Sequence, residues 1–169
     1  GKSTLASLFT GLIKPMHYET EIAINGKSVK KFDFLTFSYD VGYLPQTPFI
    51  LQDSVLENIR FGSNHSFLEI KNVVEKSNLF KDKIRDHGDD FYYMPAQTLS
   101  GGEKKRIAIM RLFLKNCSFI IFDEATSNLD FSNSKLILNK TLTLFKNKTL
   151  IWITHSKDEL KSFKNIIEI

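Results

Sequence analysis

At 169 residues the chain has the size of one domain, or a large part of one, and can bury a stable core. Its 42% hydrophobic and 25% charged residues are ordinary values for a soluble globular protein. The net charge of +4 favours nucleic acid or an anionic membrane surface only weakly, and no apolar run approaches the about twenty residues of a membrane-spanning helix.

The chain opens on Gly1-Lys2-Ser3-Thr4, without Met and without a secretory signal. Leu5, Leu8, Phe9, Leu12 and Ile13 recur at helical spacing, which predicts a helix over 2–14 ended by Pro15. Residues 21–24 and 27–29 read as two strands joined by an Asn25-Gly26 turn. Residues 41–44 read as a further strand, stopped by Pro45. Residues 54–60, 66–77 and 78–86 read as helices, with Ser54 and Ser66 as N-caps. A loop is expected over 87–97, and 54–97 as a whole is expected to form a helical lobe.

Helices are predicted over 103–115, 133–145 and 157–163, and strands over 119–123, 149–154 and 166–169. This alternation argues an α/β domain with a parallel central sheet. Cys117, the single cysteine, precedes an apolar strand and reads as a small buried residue in a reducing compartment. His17, His65 and His87 fall in no motif and are expected at the surface.

Three segments carry chemistry. Gly1-Lys2-Ser3-Thr4 is the second half of the pattern G-x-x-x-x-G-K-[ST], so the chain reads as the remainder of a truncated phosphate-binding loop. A helix start there offers unpaired N–H groups and the positive end of the helix dipole to a phosphate. Lys2 can reach the phosphates and Ser3 can offer its hydroxyl to Mg²⁺. The run Phe119-Ile120-Ile121-Phe122-Asp123-Glu124 makes a strand buried on both faces, with two carboxylates at the edge where ligands bind in open α/β sheets. Asp123 could hold Mg²⁺ and Glu124 could deprotonate water. Leu99-Ser100-Gly101-Gly102-Glu103 sets two glycines before a basic helix, where backbone can approach an anion closely. Alone, each segment also reads as a polar helix start, a strand followed by solvated acids, or a capped glycine turn.

Leu99-Ser100-Gly101-Gly102-Glu103 resembles the L-S-G-G-Q signature of ABC ATPases, with Glu103 at the variable last position. The other landmarks of that family follow in order. Residues 41–46 (Val-Gly-Tyr-Leu-Pro-Gln) resemble its Q-loop strand, 123–127 its Walker B segment, 127–130 its D-loop and 152–155 its switch-histidine segment. The resemblance implies a P-loop NTPase-like ABC ATPase core with a mainly parallel central sheet and a helical subdomain. It implies ATP and Mg²⁺ as cofactors. ATP would be held by Gly1, Lys2, Ser3 and Thr4 of one cassette and by Ser100, Gly101, Gly102 and Asp130 across a head-to-tail dimer. Ser3, Gln46 and Asp123 would serve the metal, and Glu124, His155 and Gln46 the reaction.

Residues 21–26 and 48–62 are similar to stretches of exporter cassettes, which implies a fused or separate transmembrane domain as partner at the cytoplasmic face of a membrane. In that reading an amphipathic helix presents Val55, Leu56 and Ile59 to the membrane domain; an ordinary core-packed helix is the alternative. The segment 92–98 departs from the exporter pattern before the signature. A soluble ABC ATPase of DNA repair, chromosome organisation or translation is the rival reading, and nucleic acid is not an expected partner. A non-catalytic cassette would lack Glu124 or His155, and both are present.

Because most N–H groups of a phosphate cradle would precede Gly1, residues 1–169 are expected to bind Mg-ATP weakly and hydrolyse it negligibly. A chain extended upstream to complete the loop is expected to bind it. Calorimetry on the two chains side by side checks this, and equal affinity would remove the argument.

Overall fold

The strands sort their side chains by the two-residue period of a pleated sheet. In a computed structural model describing residues 1–10, 13, 23–24, 27–28 and 40–168, β1 (Ala23–Ile24) and β2 (Lys27–Ser28) pair antiparallel. The Asn25-Gly26 turn, Pro15 and His17 lie outside the described residues. The central sheet has three parallel strands in the order β3 (Val41–Leu44), β4 (Phe119–Asp123) and β5 (Thr149–Ile153). Leu44, Ile120, Phe122, Leu150 and Trp152 belong to one apolar cluster, and Val41, Tyr43, Ile121, Ile151 and Ile153 to the other. Both faces are therefore covered, as parallel sheets require. The α/β class and parallel sheet expected from the sequence are what the fold shows.

Ala6 and Phe9 of α1 (Lys2–Phe9) cover the second face, with the Phe9 ring 6.1 Å from that of Phe119. The first face is covered mainly by α5 (Gly101–Lys115), through Ile107, Met110 and Leu112. Gly42 lets this helix approach: a Cβ there would stand 3.0 Å from Leu112 Cδ2. Cys117, 2% exposed, lies beside the same contact, and burial pushes its thiol above the usual range. The helix α6 (Phe131–Leu144) adds Ile137 to this cluster. Among the described residues β5 pairs only with β4. Its other side opens on a groove of about 390 Å³ lined by Lys2, Leu5, Ala6, Ile153 and Thr154.

Between β3 and α5 lie α2 (Val55–Arg60), α3 (Phe67–Ser77) and α4 (Lys81–His87). Ser54 and Ser66 cap the first two by accepting from Glu57 N and Glu69 N, as expected. The expected loop over 87–97 is instead two short 3₁₀ helices, Gly88–Tyr93 and Ala96–Thr98. The reason is burial: Phe91 and Tyr92 are wholly enclosed, and a tight coil brings both rings onto Phe80 and Phe67. Val55, Leu56 and Ile59 are 0%, 6% and 0% exposed, so this helix turns its apolar face into the core and not towards a partner. The expected helix over 78–86 begins only at Lys81. The expected strand over 166–169 is absent from its described part, where Ile166 and Ile167 are 52% and 84% exposed and no strand pairs with them. The helix expected over 157–163 shortens to α7 (Lys157–Leu160).

One buried knot ties the segment 49–61 to α5. The Asn58 amide donates to the carbonyls of Leu51, Asp53 and Ser54 at 3.2, 3.2 and 2.9 Å and accepts from Leu51 N at 2.8 Å. Arg111 donates from Nη2 to Asn58 Oδ1 at 2.7 Å, to the carbonyls of Phe49 and Asn58, and stacks over the Phe61 ring. Asn58 is fully enclosed, so its loss would orphan several polar groups at once. Asn58→Ala is expected to destabilise the protein by about 2–3 kcal/mol, read as a lowered midpoint in urea unfolding.

Candidate nucleotide-hydrolysis site

The carboxyl ends of the central strands stand level because Leu44 pairs with Phe122, which pairs with Trp152. The chain leaving each strand therefore meets the others at one edge, the ligand-binding edge of open α/β sheets. Gln46 follows β3, Glu124 follows β4 and His155 follows β5.

Asp123 ends β4 at 5% exposure, and the Tyr43 hydroxyl donates to its Oδ2 at 3.1 Å. Burial, then the Asp123 charge, pushes the Tyr43 phenol up to about 12, so it remains a donor at any ordinary pH. Glu124 adopts a left-handed φ of 49°, which costs a non-glycine residue about 1–2 kcal/mol. The corner persists because neighbours hold it on all sides. Its N–H donates to Ile153 O at 3.0 Å, and its carbonyl accepts from Ser127 N at 3.0 Å and from Lys105 Nζ at 3.2 Å. Its side chain is held as well. Gln46 Nε2 donates to Oε2 at 2.8 Å, and His155 Nε2 stands 3.3 Å from Oε1, an approach that becomes an ion pair when the imidazole is protonated. Gln46 and His155 thus converge on the Glu124 carboxylate.

Gly1 precedes α1 as its N-cap and supplies no capping side chain, and Lys2, Ser3 and Thr4 form the first turn. Lys2 lines the same groove as Ile153 and Thr154, which brings this helix start to the edge that holds His155. Ser100, Gly101 and Gly102 form the start of α5. Ser100 caps α5 in a reciprocal box with Glu103, its Oγ accepting from Glu103 N at 3.3 Å and its N–H donating to Glu103 Oε2 at 2.8 Å. This box starts the helix at Gly101, two residues before the expected start. Gly102 lies against the segment after Glu124: a Cβ there would stand 3.3 Å from Leu129 Cδ2. Asp130 is the N-cap of α6, bonded to Asn133 N at 3.0 Å and Asn133 Nδ2 at 2.6 Å, so α6 begins at Phe131.

Two residues that the motif reading passed over hold the corner from behind. Lys105 is 6% exposed, and burial pushes its ammonium below the usual lysine range against the opposing pull of Glu124 and Glu159. Glu159 is 7% exposed and accepts from Thr126 Oγ1 and, at 2.8 Å, from Trp152 Nε1. The signal for Lys105 was present in the sequence: residues 105, 108, 109 and 112 form one helical stripe, and the other three are apolar.

The fold and this site define an α/β nucleoside triphosphatase domain of the P-loop kind. The family model described as ABC transporter matches residues 1–127, and the chain belongs to that family, whose ATP-binding domains are ATPases. It is 36% identical to the pediocin PA-1 transport/processing ATP-binding protein of Pediococcus acidilactici, over 92% of this chain and 22% of that protein. It is 33% identical to the mitochondrial iron-sulfur clusters transporter ATM1 of Saccharomyces cerevisiae, over 92% of this chain and 23% of that protein. A solved bacterial Atm1-family ABC exporter with ATP bound superimposes with a TM-score of 0.80 at 30% identity, covering 95% of this chain and 28% of the exporter. The chain thus spans less than a third of each of these relatives.

Gln46→Ala would release one oxygen of the Glu124 carboxylate. Since a misplacement of about 1 Å can cost about 10²-fold, ATP turnover of the intact protein is expected to fall by about that factor. Steady-state phosphate release against wild type measures it.

Proposed function

We propose that this chain is the nucleotide-binding domain of an ABC exporter, which binds and hydrolyses ATP to drive a substrate across a membrane. The observation that carries the reading is the meeting of Gln46 and His155 on Glu124, at a left-handed corner directly after the buried Asp123. Its placement in the exporter branch is supported by the likeness to transport/processing proteins and to the Atm1-family exporter.

In this reading Gly1, Lys2, Ser3 and Thr4 receive the phosphates at the start of α1, where first-turn N–H groups favour an anion. Glu124 takes the proton of the attacking water, Gln46 orients its carboxylate, and His155 meets the terminal phosphate. Ser100, Gly101 and Gly102 act on the ATP of a second cassette paired head to tail. The exposure of Ser100 and Gly101 suits that role. Asp130 borders the same junction, with its carboxylate already engaged as a helix cap.

Asp123, Gln46 and Ser3 would hold Mg²⁺. Their oxygens suit a hard cation that keeps several waters and takes its other ligands from phosphates. Among the described residues no group of His, Cys, Asp and Glu is arranged as a complete protein cage for a metal. The ion, when bound, neutralises charge developing on the phosphates. The remaining catalysis is positioning by this chain's own residues. The partner that couples hydrolysis to transport is a transmembrane domain, which places this chain at the cytoplasmic face of a membrane. Among the described residues no helix is long and apolar enough to cross a membrane.

Glu124→Gln in the full-length protein is expected to lower steady-state hydrolysis by about 10²–10⁴-fold, the contribution of a positioned base, while ATP binding persists. ATP-trapped dimers should accumulate, as seen by size-exclusion chromatography with labelled nucleotide. Wild-type turnover would remove Glu124 from the reaction.

A further inference from the structure

The buried ammonium of Lys105 has three donors, and all three are used at one place. Nζ lies 3.2 Å from Glu124 O, 2.7 Å from Ser127 O and 3.1 Å from Ser127 Oγ. These acceptors are two carbonyls and a hydroxyl, so a buried charge is committed to orienting peptide groups and not to pairing with a carboxylate. The Glu124 carbonyl it holds belongs to the residue with φ 49° whose side chain meets Gln46 and His155. Fixing that carbonyl fixes the plane of the peptide after Glu124, and with it the direction in which the carboxylate leaves the chain.

The same lysine rides on α5, whose first turn is Ser100, Gly101 and Gly102, and Gly102 abuts Leu129 at the far end of the turn that Lys105 grips. One rigid helix therefore carries both the glycine-rich turn and the clamp on the catalytic corner.

We propose that Lys105 is a positioning residue that ties the placement of the Glu124 carboxylate to the glycine-rich start of its own helix, so that engagement of Ser100–Gly102 by nucleotide on a second cassette aligns Glu124 in its own site. This rests on the functional reading above. A lysine that merely glues a helix to a turn would contribute stability alone. One that sets the carboxylate contributes to turnover.

The test uses the full-length protein with Lys105→Met, which keeps length and burial but removes the donors, and Lys105→Gln, which returns an amide donor. Hydrolysis is measured per folded molecule, with KM for Mg-ATP and the thermal midpoint alongside. Lys105→Met is expected to lower kcat by about 10–10²-fold with KM for ATP within about threefold of wild type, the pattern of lost alignment as opposed to lost binding. Lys105→Gln is expected to recover part of kcat. In a Glu124→Gln background, Lys105→Met is expected to lower residual hydrolysis no further, because both changes act through one carboxylate.

An unchanged kcat in Lys105→Met overturns the proposal, as does equal loss in Met and Gln variants or an additive loss on top of Glu124→Gln. If Lys105→Met does not fold, Ser127→Ala removes one acceptor, and a kcat equal to wild type then overturns it. Full activity of Glu124→Gln alone would instead remove the hydrolytic reading itself, which keeps the two failures apart.

Discussion

The in-register parallel pairing of β3, β4 and β5 is the constraint on which the site depends. Parallel strands deliver their carboxyl ends to the same edge, and here the register leaves Leu44, Asp123 and Ile153 close to one line. A slip of one residue in any strand would turn its apolar set to the opposite face. It would also carry Gln46 or His155 off the Glu124 carboxylate. The apolar pattern that makes the sheet stable therefore also selects the geometry of the polar groups beyond it.

Glu124 shows how such an edge turns order into chemistry. Its backbone sits where an L-residue is disfavoured, and apart from the local bond from Ser127 N the groups that hold it there come from other elements: Ile153 from β5, Lys105 from α5, and Gln46 and His155 from the segments after β3 and β5. Such a corner cannot form from local sequence. It exists only once the sheet and the helix behind it are assembled, so the geometry reports on the integrity of the whole fold.

What could be read in advance follows the same division between local and tertiary causes. The strand over 119–123 is legible because a run of four apolar residues has no polar face to offer water. Ser54 and Ser66 are legible because a cap is satisfied within its own turn. The segment 88–98 is not: Gly88 and Pro95 punctuate it like a loop, and only the enclosure of Phe91 and Tyr92 by other elements coils it. The periodicity of Val55, Leu56 and Ile59 states that an apolar face exists, but not whether core or partner covers it. Ile166 and Ile167 have the composition of a strand, yet strands are made by neighbours. In the site, the motif residues were visible from their order along the chain. Tyr43 and Glu159 were not, since neither is needed to name a motif and their partners come from distant segments; Lys105 left a trace only as the one charge in an apolar helical stripe.

Cys117 has a practical bearing on how the integrity of the fold can be followed. It is the single thiol in this chain, packed at 2% exposure near the contact between β3 and α5, and its burial disfavours the reactive thiolate. Maleimide or nitroxide reagents should therefore pass it by in the folded state. A cysteine introduced at an exposed position such as Lys146 could carry a fluorophore or spin label without first replacing the native one, and acquired reactivity of Cys117 itself would be a chemical alarm for opening of the core.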